Sequence, residues 1–328
     1  MKKILRLALA LVASCWLGMN LISCSKDDDS TKQNQAPQLF NDKQIESITA
    51  DVSRIYTKDD MGNIIVTDTL ISDTVYYKYD KYRRIIGLYG DHQRGAFDIN
   101  QEEKKIFLSG DYLESDFTIT KDNFFKSMSL LWDILVAKGD FEMTMEYNDD
   151  NHLVAINFEE RTAISTSSYE DKARLDYTWE DGKLMEVSIT YIKNVILNDT
   201  VYFNQYIANC KYVYTSQTEN KWKQWSYFTS ASMSLFDFSS FAMPGCFGVG
   251  PSMLPDAFVG SVEMVSQQGD EPMEKSTLSI ESKCQYTFNE DGTIKTETIS
   301  KLPYAVANEE TESVNWLVTD EKVKYNYE

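Results

Sequence analysis

From Ile45 to the end of the chain, apolar and polar residues alternate with period two, the spacing that puts every second side chain on one face of a β-sheet. Six stretches show it most clearly, and each closes its apolar stripe on an aromatic: Val75-Tyr77-Tyr79, Met143-Met145-Tyr147, Leu175-Tyr177-Trp179, Cys210-Tyr212-Tyr214, Cys284-Tyr286-Phe288 and Val323-Tyr325-Tyr327. In four of them a polar turn follows and apolar residues resume, as at Asn148-Asp149-Asp150-Asn151 before Leu153 and Glu180-Asp181-Gly182-Lys183 before Leu184. Asn, Asp and Gly supply the left-handed backbone of tight antiparallel turns, and Tyr, Trp, Val and Ile suit a pleated, half-buried surface. The pattern predicts one all-β domain over residues 45–328: a strongly curved antiparallel meander or barrel-like sheet of many hairpins.

The stripe-ending aromatics are separated by 68, 32, 35, 74 and 39 residues, two intervals being close to twice the others. That spacing predicts a degenerate internal repeat of roughly 35 residues. Asp73-Thr74-Val75-Tyr76-Tyr77, echoed as Asp199-Thr200-Val201-Tyr202-Phe203, points the same way. Two stretches depart from period two. Phe124, Met128, Leu131 and Leu135 fall at helical spacing, which predicts one amphipathic helix between Asp122 and Gly139. Leu235 to Gly260, rich in Gly and Pro, reads as a long ordered loop or short helical turns.

Upstream of the domain, Lys2, Lys3 and Arg6 precede an apolar run and then Leu21-Ile22-Ser23-Cys24, so residues 1–23 read as a secretory signal peptide. The tetrad resembles a bacterial lipobox, which implies lipid attachment at Cys24. A rival, Val12-Ala13-Ser14-Cys15, would leave an apolar segment at the new terminus. Residues 24–44 are charged and Ser/Gln-rich and form a flexible tether. Ser25-Lys26-Asp27-Asp28-Asp29 resembles the export signal of Bacteroidales-type lipoproteins, which implies the outer membrane and exposure at the cell surface. The alternatives are a periplasmic-facing protein and aspartates that only keep the linker solvated.

The Tyr-x-Tyr-Asp/Asn hairpins resemble YD repeats, and Leu254-Pro255-Asp256-Ala257-Phe258-Val259-Gly260 before the Tyr286 hairpin resembles a Bacteroidales surface-lipoprotein domain of unknown function. That resemblance implies a porin-like, highly curved antiparallel sheet and no established activity. Turn glycines are missing after Tyr79 and Tyr147. Period two alone does not separate a membrane barrel from a soluble sheet. The lipid anchor and charges such as Glu142, Glu146 and Asp176 among the aromatics favour a water-soluble sheet with an aromatic interior.

Composition narrows the function. The 328 residues are 42% hydrophobic and 13% aromatic, with 32 basic against 51 acidic, and removing Lys2, Lys3 and Arg6 takes the net charge from −19 to −22. No nucleic-acid partner fits such a charge. His92 and His152 stand near turns without metal-ligand spacing, and His152 reads as a solvated turn residue. Gly245-Cys246-Phe247-Gly248-Val249-Gly250 lacks the Lys-Ser/Thr of a phosphate loop. Asp59-Asp60-Met61-Gly62-Asn63 and Glu290-Asp291-Gly292 lack EF-hand spacing, so neither a metal nor a cofactor is expected. Cys210, Cys246 and Cys284 read as buried thiols, with a disulfide among them left open. Asp-Ser/Thr-hydrophobe tripeptides such as Asp68-Thr69-Leu70 resemble O-glycan acceptors.

These features point to a tethered binding or interaction module for a glycan or protein, with Trp222, Trp225 and Tyr227 as ligand-stacking candidates if they are not core. A secreted hydrolase using a carboxylate pair and a structural envelope or adhesion component are the competing classes.

Overall fold

The computed structural model describes residues 44–58, 64–90, 97–108, 114–120, 124–134, 137–164, 167–197, 200–230, 244–307 and 314–328. The leader, most of the tether, His92 and the 59–63 cluster lie outside them. The strands are β1 (Ile45–Lys58), β2 (Ile64–Tyr79), β3 (Ile85–Gly90), β4 (Phe97–Asn100), β5 (Lys105–Leu108), β6 (Glu114–Ile119), β7 (Phe125–Ile134), β8 (Ala137–Tyr147) and β9 (Leu153–Ile164). There follow β10 (Ser167–Glu180), β11 (Lys183–Leu197), β12 (Thr200–Val213), the short β13 (Thr218–Glu219), helix α1 (Tyr227–Ser230), the short β14 (Met253–Leu254), β15 (Ala257–Gln268), β16 (Glu274–Phe288), β17 (Ile294–Ala307) and β18 (Val314–Tyr327). Sixteen of them, all but β13 and β14, close into one antiparallel barrel in which β1 pairs with both β2 and β18.

The tight turns use the residues that the sequence supplies. Asp80–Arg83, Asn148–Asn151 and Asn289–Gly292 each close with the fourth residue's N–H bonded to the first residue's carbonyl, and that fourth residue has positive φ: Arg83 at 67°, Asn151 at 62°, Gly292 at 88°. The missing glycines after Tyr79 and Tyr147 are thus replaced by an arginine and an asparagine in the left-handed region, with Asp80 and Asn148 side chains accepting backbone N–H groups within the turn. A register shift adjoins each of these turns and the one between Glu180 and Lys183, at Lys78/Tyr79, Glu146/Tyr147, Thr178/Trp179 and Thr287/Phe288 on the strand entering the turn.

The helix expected over 122–139 is instead the β7–β8 hairpin. A bulge accounts for the first step of the misleading spacing: Ile119 pairs with Phe125 but Thr118 pairs with Ser127, so alternation is broken and Phe124, Phe125 and Met128 are all buried. The Gly/Pro-rich stretch ends earlier than expected, because Ala257 to Gly260 already belong to β15.

Polarity across the wall settles what the barrel faces. Alternate residues such as Met143, Met145, Leu175, Tyr177, Val187 and Cys210 are buried inside. The outer face carries ion pairs at mid-strand: Arg174 with Asp176 at 2.7 Å, Arg161 with Glu159 at 2.9 Å, and Lys172 with Glu170 at 3.1 Å. Each Arg or Lys at a bilayer midplane would cost ~2–4 kcal/mol. The wall of β8 to β12 is thus apolar inside toward its turn end and charged outside at mid-strand.

Candidate functional site

One end of the barrel is shut by the segment between β12 and β15, whose described parts are residues 214–230 and 244–256. Asn220 holds it together by donating from Nδ2 to the carbonyls of Gln224 at 2.7 Å and Pro251 at 2.8 Å. Trp225 is completely buried, donates Nε1–H to the Gly248 carbonyl at 3.2 Å, and meets Trp179 and Tyr177 edge-on. Phe228 and Phe247 pack beside it against Phe258 and Phe125.

The plug is stitched to the barrel's turns. Val249 N donates to Asn151 O at 2.9 Å, Ser252 N to Gly182 O at 2.8 Å, and Lys221 Nζ and Trp222 Nε1 both reach Asp291 O. Gly248 has φ of +86°, and a Cβ there would lie 2.5 Å from the Asn151 carbonyl, so no other residue fits this crossing. Its run of glycines serves close packing. His152 is buried rather than solvated: its ring stacks on Trp179 at 4.1 Å and its Nδ1 bonds the Val249 carbonyl at 3.0 Å.

The candidate stacking trio sits in this plug. Trp225 has no exposed surface, while Trp222 and Tyr227 are half-buried and tied down, Trp222 to the Asp291 turn and Tyr227 through its backbone N–H. That N–H meets the most heavily buried carboxylate of the plug's anchorage. Glu297 on β17 accepts from Tyr227 N at 3.0 Å and Phe228 N at 2.9 Å, from the Tyr325 hydroxyl, and from Cys284 Sγ at 3.8 Å. Burial pushes its carboxyl up to about 7 against the pull of these donors. Cys210, Cys246 and Cys284 are free, buried thiols, and burial raises Cys210 to about 12.

A ring of aromatic bonds secures the same end. Tyr79, Tyr147, Trp179, Tyr214, Tyr286 and Tyr327 donate to the carbonyls of Ile45, Phe125, Leu153, Leu184, Pro255 and Ile294, at 3.0, 2.6, 2.7, 2.6, 3.1 and 2.9 Å. Each bond ties the chain at the end of one strand to the chain within two residues of its neighbour's start, which is why the stripes end on rings bearing an O–H or N–H. Phe288, which has neither, is partly exposed, and Tyr286 takes its place. The two doubled intervals hide different contents: the strands from β3 to β8 fill one, the plug the other.

Above the floor the interior changes character. Strand register sets Glu160 of β9 opposite Asp171 of β10, Asp171 opposite Lys193 of β11, Lys193 opposite Asn204 of β12, and Asn204 opposite Ser266 of β15. All five share parity with buried inward residues, so they form one polar belt on the inner wall. Tyr191 donates to Asp171 Oδ2 at 2.8 Å, Lys193 Nζ lies 3.5 Å from the same oxygen, and the rings of Tyr191 and Tyr206 lie 5.7 Å apart just below. Burial and the neighbouring Asp171 raise the Glu160 carboxyl above its ordinary range. The cup is wet, since the Asp171 and Lys193 side chains keep 16% and 22% exposure and Ile71, inward at mid-β2, keeps 50%. An aromatic floor below convergent polar groups makes this cup the candidate site.

No family model matches the chain, and no curated protein does. Among solved structures, it is similar to a porin-like protein from Bacteroides uniformis, with 10% identity and a TM-score of 0.49 over 87% of this chain and 96% of that one. A porin-like protein from Bacteroides vulgatus is similar at 13% and 0.42, over 84% and 98%. A further porin is similar at 9% and 0.25, over 87% and 100%.

Proposed function

We propose that the protein is a lipoprotein of the cell envelope, anchored through Cys24 on a solvated tether and carried to the cell surface by the Ser25–Asp29 signal, and that its barrel is a water-soluble binding module with the half-open cup as its site. The observation that carries the binding reading is the polar belt, raised above a plugged aromatic floor inside a wall whose outside is charged. Labelled palmitate should enter the wild-type chain and be lost in Cys24→Ala, and protease added to intact cells should remove the barrel only if it faces outward. A glycan and protein array probed with the soluble chain tests binding; no selective ligand retires it.

One observation supports a second reading, a carboxylate-pair hydrolase: Glu160 and Asp171 face each other across neighbouring strands, with Glu160 shifted toward the range of a general acid. Turnover of aryl glycosides abolished by Glu160→Gln would establish it.

A further inference from the structure

We propose that the belt binds an organic cation, a primary ammonium or guanidinium group, between the carboxylates of Glu160 and Asp171 and the faces of Tyr191 and Tyr206. This rests on the cup being the binding site and assigns it a ligand class.

The belt is one positive charge short of balance. Glu160 and Asp171 stand on adjacent strands with Lys193 as the cation that register places beside them. Lys193 is committed to Asp171 Oδ2, which also accepts from the Tyr191 hydroxyl. The other oxygen, Asp171 Oδ1, is shielded from water and accepts no hydrogen bond among the described residues. Leaving a shielded carboxylate oxygen unbonded is costly, and rotation of the Asp171 carboxylate toward the cup would let a donor-rich ligand satisfy it.

The groups around Glu160 lead to the same ligand. From its own strand Thr162 bonds it at 3.4 Å, β10 presents Asp171, β11 presents Tyr191 and Lys193, and β8 presents Phe141. Two acids thus oppose one lysine in a site partly withdrawn from water, where a second cation relieves the excess. Neighbouring rings suit that cation, because an aromatic face attracts an ammonium within about 6 Å of its centroid. Lys193 already shows the geometry: its Nζ lies 5.8 Å from the Tyr169 centroid. A neutral sugar would fill the same acceptors but leave the charge unbalanced.

The test uses the soluble chain beginning at residue 24 with Cys24→Ser, titrated calorimetrically with spermidine, trilysine and uncharged maltotriose. Spermidine or trilysine should bind, the first alone indicating a free amine and the second alone a peptide side chain. Affinity should fall about tenfold or more in Asp171→Asn and Glu160→Gln. It should hold in Glu159→Gln and Glu170→Gln, which remove the same charge from neighbouring residues of the same strands on the outer face. In the wild-type chain, binding should strengthen as pH rises and Glu160 loses its proton, a readout independent of how the variants fold. Equal losses in the inner and outer variants would overturn the proposal, since attraction to the acidic surface would then explain everything. Maltotriose binding without cation binding would overturn it too, while leaving the cup as a binding site. Silence from all three probes would also overturn it, and the array would then decide on the cup separately.

Discussion

Glu297 makes the fold sensitive to pH in a direction opposite to that of most paired carboxylates. Its carboxyl titrates near 4.5 in an open chain and at about 7 inside the barrel, because burial outweighs the four donors around it. Between those values the folded chain holds a proton that the unfolded chain has released, so stability falls as pH rises through the window and levels off above it. At 1.36 kcal/mol per pH unit of that difference, the loss is ~3 kcal/mol. The groups facing Glu297 are Tyr325, Tyr286 and Cys284, all raised well above their ordinary ranges, and none titrates between pH 4 and 8. Urea denaturation of the soluble chain at half-unit steps from pH 4 to 8 gives the slope, and Glu297→Gln provides the control. Absolute stability of the variant will drop, since the amide NH₂ faces N–H donors, so the comparison lies in the slopes. The wild-type curve should fall by ~3 kcal/mol more than the variant's across the window. Parallel curves would refute the reasoning and place the pH response in the general acidity of the surface.

Trp225→Ala should cost ~3–5 kcal/mol, the usual range for removing a fully buried tryptophan, and should expose residues 214–256 to limited proteolysis before the barrel unfolds. Tyr147→Phe removes one aromatic-to-carbonyl bond without changing the packing and should lower stability by about 1 kcal/mol, measured by denaturant midpoint. Cys210, Cys246 and Cys284 should resist an aqueous thiol reagent in the native chain and all react in urea; labelling of any one at native conditions would contradict its burial.

The hairpins were legible because their information is local: an aromatic at the end of a stripe, a turn of Asn, Asp and Gly, then apolar residues again. The β7–β8 hairpin was not, because a bulge at Lys126 breaks the alternation between Phe124 and Met128 and only pairing with β6 reveals it. His152 looks like a turn residue until the plug crosses it from about a hundred residues away in sequence, and Trp225, open between core and ligand platform in the sequence, is fixed as core by Gly248 twenty-odd residues on. The belt was hidden for the same reason, since register alone unites Glu160, Asp171, Lys193 and Asn204. A signal for it did exist. The inward stripes Leu175-Ala173-Asp171, Ile156-Phe158-Glu160 and Ala208-Tyr206-Asn204 each turn polar at the same distance from their turn, and following their parity past the last apolar residue would have marked the level.

Closure through β1 and β18 bears on how the chain reaches its native state. Ile48 pairs with Tyr325, and Gln44 accepts from the backbone of Glu328, so β1 must wait for β18. Until then one long unpaired edge, with its row of free amides and carbonyls, offers itself to any other extended chain. Contacts this distant in sequence form slowly. β18 therefore governs whether the strands seal into a cylinder or stay an open ribbon, and its deletion should yield aggregate instead of a slightly weakened monomer.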